Sequence, residues 1–262
     1  MQFSGPSARH AQLSSERSFF QTTLCSWRVL AALILVWSMA GIAEAVPISK
    51  GGYLITKPGK YTVTRNLTVK APAGSAELVG IAIQSDGVEL DLGGFSIGPN
   101  PLAPGEGTGI TLGDGVKWVR VHNGRIQGIK SGVLVATASA TVSECLFERL
   151  HVAGCSGNLF VLRGESLTVR HCTGTELAGG KQGIVIQTSL GGTNEISDCT
   201  IIGNGASGIS AAQSAGLLVR RSSIHGCIVG FAVNAGCKLA DNLTLLCGTA
   251  ITGNPELAGV ND

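Results

Sequence analysis

The sequence predicts an all-β solenoid, a parallel β-helix of about seven to eight rungs, and three observations predict it. A glycine followed by alternating apolar residues returns about every 25 positions. No stretch carries the i, i+3, i+4, i+7 apolar spacing of an amphipathic helix. Glycine accounts for 38 of 262 residues while aromatics make up 5% and charged residues 14%, a balance that favours many tight turns over helices.

The chain opens with a segment of a different kind. Residues 1–28 are polar and include Arg9, Arg17 and Arg28, after which residues 29–43 carry no charge and end at Ala43-Glu44-Ala45. This is the layout of a signal peptide over residues 1–45, cleaved before Val46. The apolar run is too short to span a bilayer, so no stable membrane anchor is expected after cleavage. The mature chain, residues 46–262, holds 16 Lys and Arg against 15 Asp and Glu. That balance gives no electrostatic basis for binding nucleic acid. A secreted, periplasmic or cell-surface location follows from the leader.

Copies of the repeat open at Gly80, Gly109, Gly132, Gly157, Gly183, Gly208 and Gly230, at spacings of 29, 23, 25, 26, 25 and 22. Each also carries a second apolar pair, at Leu90/Leu92, Val119/Val121, Ala140/Val142, Leu167/Val169, Asn194/Ile196, Leu217/Val219 and Cys237/Leu239. Two or three period-2 segments separated by Gly, Ser, Asn and Asp read as strand, turn, strand, turn. Twenty-five extended residues reach roughly 80 Å, so each copy must bend and stack on its neighbour at about 4.8 Å. A leucine-rich horseshoe shares the period, but its helix-forming half is missing here. Residues 46–79 are expected to form the amino-terminal cap and first strands. Residues 251–262 are too short and polar to cover the last rung, so self-association through an open carboxyl end is expected.

The segments GGYLITKPGKYTVTRNLTV (residues 51–69), GIAIQSDGVELDLGGFSI (80–97) and VRVHNGRIQG (119–128) resemble the opening of bacterial exported right-handed parallel β-helix proteins of the pectin-lyase-like superfamily. The resemblance covers residues 50–250 and implies a right-handed coil and a carbohydrate-binding or sugar-hydrolase type of domain. The N-T-D, D-D and G-H-G motifs of polygalacturonases are absent, as is a pectate-lyase-like calcium cluster, so no metal and no cofactor is expected. Polysaccharide lyases, glycoside hydrolases and epimerases share the fold, and so do proteins that only bind.

Stacking turns sequence offsets into columns. Two residues past the second apolar member come Gly94, Asn123, Glu144, His171, Asp198, Arg221 and Asp241. In that register Glu144, His171, Asp198 and Arg221 occupy successive rungs, with two carboxylates about 9.6 Å apart around an imidazole. Inverting glycosidases hold their carboxyls about 6.5–9.5 Å apart, which makes these four the candidate substrate-binding residues, with no catalytic residue identified. The competing reading is a solvated turn column of left-handed residues, and a position at a convex corner would favour it. Cys145, Cys172 and Cys199 fall in one inward column one step further on, as a thiol stack or as one disulfide and a thiol. With Cys155, Cys227, Cys237 and Cys247 they make seven after the leader, an odd number. His122, His151 and His225 read as surface residues. Asn66 and Asn242 match the glycosylation pattern, and residues 99–107 form an inserted loop suited to walling a groove.

The expected function is therefore an exported β-helix that presents a binding face to polysaccharide or cell-surface glycan. A carbohydrate-active enzyme is the alternative.

Overall fold

The computed structural model describes residues 44–135, 141–187, 193–211 and 216–261. The chain divides into residues 1–44 and residues 45–262; the apolar run at 29–43 lies outside the described residues. Every paired strand in the second unit runs parallel to its neighbours, and, Val46–Ile48 at the amino end apart, each partner lies about one repeat away in sequence. The unit is a parallel β-solenoid of about eight turns with three faces.

The first face is built from Gly59–Val63, Val88–Asp91, Thr168–Arg170, Asn194–Ser197 and Leu217–Arg220. Three longer strands, Arg120–Gln127, Leu146–Ala153 and Lys238–Leu245, begin on this face and turn the corner onto the second. Ser96–Gly98, Thr173–Leu177, Thr200–Gly203 and Ser223–His225 complete the second face. The third face holds the glycine-led strands, among them Val79–Ile83, Thr108–Leu112, Gln182–Gln187 and Ser207–Ala211. The segment expected to cap the amino end supplies one strand to each face, so it is itself a full turn. Val46–Ile48 pairs in front of it.

Inward side chains stack in rows. On the first face Leu90, Val121, Phe147, Val169, Ile196, Val219 and Leu239 follow one another in register, each fully buried. Each contributes about 1.5–3 kcal/mol through burial that only the rungs above and below provide.

The repeat's glycine has a steric cause. A Cβ at Gly80, Gly109, Gly132, Gly183, Gly208 or Gly230 would lie 2.3–2.8 Å from the inward side chain ending the second face, and in most of these also as close to the carbonyl oxygen of the next rung. The fourth copy departs from the expected alignment. Val133 pairs with Phe160, so Leu159, not Gly157, takes the glycine's place.

That shift exposes an error in register one rung earlier. Leu146 pairs with Arg120 and with Thr168, which aligns Cys145 and Phe147 with Val119 and Val121. The apolar pair of this rung is therefore Cys145/Phe147 and not Ala140/Val142. At the carboxyl end Glu256–Asn261 adds one more strand to the first face beside Lys238–Leu245. The tail thus covers more of the last rung than its polarity predicts, although Leu257 stays 58% exposed and Leu246 92%.

Candidate functional site

Charge concentrates on the outer side of the first face. Outward residues there form two rows, one running Lys60, Glu89, Arg120, Leu146, Thr168 and Glu195, the other Asp91, His122, Glu148, Arg170, Ser197 and Arg220. Parallel stacking puts opposite charges on adjacent rungs about 4.8 Å apart, within side-chain reach. Lys60 pairs with Glu89 at 3.2 Å, Arg120 with Glu89 at 3.2 Å, and Arg220 with Glu195 at 2.8 Å.

Glu148 is the centre of this ladder. Arg120 donates through Nε at 2.9 Å and through Nη2, Arg170 donates from the other side at 2.9 and 2.7 Å, and Arg149 lies 3.5 Å away. The flanking side chains cover the carboxylate, leaving it 3% exposed. Burial alone would raise its pKa, but the hydrogen bonds and charges of Arg120 and Arg170 outweigh that and hold it at about 2. It is a fixed anion, unfit to exchange protons near neutral pH.

His122 neighbours Glu148 in the same row. It is buried, against the surface position expected for it. Its Nε2 lies 3.5 Å from Glu89 and its Nδ1 3.8 Å from Asp91, and neither nitrogen makes a hydrogen bond.

The first face is bounded by two corners, and left-handed residues turn the chain at both. The incoming corner carries Gly87, Trp118, Glu144 and Ser166, with φ of 64°, 55°, 54° and 53°. The outgoing corner carries Asn123, Arg149, His171, Asp198, Arg221 and Asp241, with φ from 47° to 64°. The expected column of four thus splits. His171, Asp198 and Arg221 do follow one another on successive rungs. Glu144 belongs to the other corner, and Arg149 stands in its place. No pair of carboxylates brackets His171, because Glu144 lies five residues before Arg149, the residue that occupies this column on its rung. Asp198 is gripped by Arg221 at 2.8 and 2.9 Å, which holds its carboxyl below the usual range. The column is a turn of left-handed residues in which Asp198 and Arg221 neutralise one another.

Glu144 has another partner. It accepts a hydrogen bond from Nε1 of Trp118 on the preceding rung. The Trp118 side chain is among the most exposed large apolar groups, at 57%. An anchored indole therefore stands at the edge of the ladder, two residues before Arg120 in the same strand path.

Two of the hollows that lie elsewhere hold titratable or loop residues. One of about 400 Å³ on the second face is lined by Arg125, His151 and Glu176; His151 is half-buried, and burial followed by the charge of Arg125 lowers its pKa. The other, of about 390 Å³ on the third face, is walled by Ala103, Glu106 and Gly107 of the inserted loop. The middle outward row of the third face reads Ala82, Thr111, Leu134, Val161, Val185, Ser210 and Ala232, with no acid or base. Asn242 is buried, and its amide bonds Ser222 and Val219 backbone atoms, so it is closed to glycosylation. Among the described residues no cluster of three or more His, Cys, Asp and Glu is placed to hold a metal ion.

Comparison with protein families matches residues 105–253 to the right handed beta helix region. The chain belongs to that family. No curated protein and no solved structure matches it. Family membership carries the fold and its hand, and leaves the chemistry to the faces.

Proposed function

We propose that this exported right-handed β-helix binds polysaccharide or cell-surface glycan along its first face, with Trp118, Arg120 and Arg170 as the contact residues and the buried Glu148 holding the two guanidiniums in place. One observation carries the reading: the exposed indole held by Glu144 at the rim of a rigid guanidinium–carboxylate ladder. Sugar rings pack their C–H faces on aromatic planes, while their hydroxyls exchange hydrogen bonds with charged planar groups. The ladder is already ordered by its own ion pairs, so binding immobilises few side chains, and the cost of association falls. Polymers suit it, because the spacing repeats at each rung.

The mature chain offers its own probe. Trp27 and Trp37 lie in the leader, so Trp118 is the sole tryptophan after cleavage. Titrating residues 46–262 with a panel of polyuronates and neutral glycans should quench or shift this fluorescence, with affinity rising as oligosaccharides lengthen. A flat signal across the panel overturns the reading.

A second reading, a carbohydrate-active enzyme, draws on His122, whose unpaired ring lies between Glu89 and Asp91. A sugar hydroxyl that displaced the Glu89 or Asp91 side chain from over the buried ring would supply the missing partner and make His122 the proton-transfer group. New reducing ends or unsaturated products, lost on His122→Asn, would select it over binding alone.

A further inference from the structure

Seven cysteines follow the leader, and all seven are thiols in the structure. Their register separates them into two kinds. Arg170 pairs with Ser197 and Thr173 with Thr200, which sets Cys172 directly beside Cys199 on adjacent rungs. His225 pairs with Leu245 and Val229 with Thr249, which sets Cys227 beside Cys247 in the same way. The backbone bond from Gly248 N to Cys227 O, at 3.2 Å, fixes the second pair. The in-register neighbours of the other three are not cysteines: Cys145 lies between Val119 and Leu167, Cys155 beside Ile129, and Cys237 beside Leu217.

We propose that Cys172–Cys199 and Cys227–Cys247 are two rung-to-rung disulfide sites, closed when the chain folds in an oxidising compartment. Parallel neighbours stand about 4.8 Å apart at Cα, inside the roughly 4.4–6.8 Å that a disulfide spans. The side chains of each pair lie on the same side of the sheet, and the thiols of Cys172 and Cys199 donate to Phe147 O and Val169 O, carbonyls that are themselves paired on adjacent rungs. Each pair sits where the chain bends, after His171 and Asp198 in one case and after Gly226 and Leu246 in the other. Turn backbone adjusts more readily than the middle of a strand, so the sulfurs can close the remaining gap.

The chemistry is ordinary exchange. One cysteine thiolate attacks a disulfide donor and releases one thiol of that donor. Its neighbour then attacks the mixed disulfide and releases the second, so each bridge consumes one donor disulfide and yields two thiols. Because Cys172 and Cys199 are buried once folded, their bridge forms during folding. Cys247 is only half-buried, and its bridge would clamp the last rung, the one with the fewest neighbours.

The test is to refold residues 46–262 from denaturant with a reduced and oxidised glutathione mixture, alkylate under denaturing conditions, and map the peptides by mass spectrometry. The expected result is cross-linked peptides containing Cys172 with Cys199 and Cys227 with Cys247, and alkyl groups on Cys145, Cys155 and Cys237. Cys247→Ser should remove the second cross-link, leave Cys227 alkylated and keep the first. Seven alkylated cysteines, or bridges joining other partners, overturn the proposal.

Discussion

Leu159 and Gly174 have exchanged sizes. In six other turns a glycine on the third face lies under a branched side chain at the end of the second face, as Gly109 lies under Ile126 and Gly183 under Ile201. In one turn the large residue is Leu159 and the small one is Gly174, where a Cβ would come within 2.4 Å of the Leu159 Cδ1. The volume at the corner is conserved while its source moves across the sheet boundary.

This exchange predicts a compensated pair. Gly174→Val overfills the corner and should cost about 1–3 kcal/mol. Leu159→Gly empties it and should cost about 2–5 kcal/mol. The double substitution rebuilds the arrangement of the other rungs, so its loss should fall below the sum of the two by about 1 kcal/mol or more. Urea midpoints of the four proteins measure the coupling, and strict additivity would refute it.

Glycines of this fold are not equivalent. At Gly183 a Cβ would lie 2.4 Å from the Gly208 carbonyl oxygen, a backbone atom that cannot step aside without moving a rung. Gly115 has a φ of 72° and nothing within 4 Å of the same position. Gly183→Ala should therefore cost about 3 kcal/mol or more, and Gly115→Ala only the left-handed penalty of about 1–2 kcal/mol. Thermal unfolding of the two variants decides the order.

Most of the fold was legible because its signal is a period. Steric exclusion at the glycine and burial of the inward rows act on every rung, so the sequence repeats whatever the structure repeats. Register failed where these two signals parted. Leu159 hides the glycine of its rung, and Cys145 and Phe147 replace the usual Val or Leu pair, so Val142 was aligned in their place and Glu144 was carried five residues out of column. The functional face was harder to find. Glu148 stands 28 residues after Arg120 and 22 before Arg170, and no local pattern joins them. Charged residues on alternate strand positions look like any solvated strand until the rungs are stacked correctly. His122 likewise looks exposed in sequence, since the side chains that bury it come from neighbouring rungs.

Acid should loosen the ladder. Glu148 has a pKa of about 2 in the folded protein, against about 4.3 for an unfolded glutamate. A depressed folded pKa means that the stabilisation is complete above pH 4.3 and is lost as pH falls towards 2. Its size is on the order of 3 kcal/mol at most. Glu148→Gln should lower stability at pH 7 and flatten the pH dependence between about 4.5 and 2, as read from urea midpoints across that range. A variant with the parent's pH slope would show that the carboxylate does not carry the effect.

The outgoing corner should behave as backbone geometry and not as chemistry. His171 is exposed with a φ of 52°, a conformation that costs an L residue about 1–2 kcal/mol. Glycine removes that strain but gives the unfolded chain more freedom, so His171→Gly should leave stability unchanged or raise it by up to about 1 kcal/mol. His171→Val places a β-branched residue where it fits worst and should cost about 1–2 kcal/mol. Asp198→Asn breaks only the surface pair with Arg221, worth about 0–1 kcal/mol, and should leave the Trp118 fluorescence response to glycans intact. If His171→Gly or Asp198→Asn instead abolished glycan binding at unchanged stability, the corner column would have to be counted as part of the binding face.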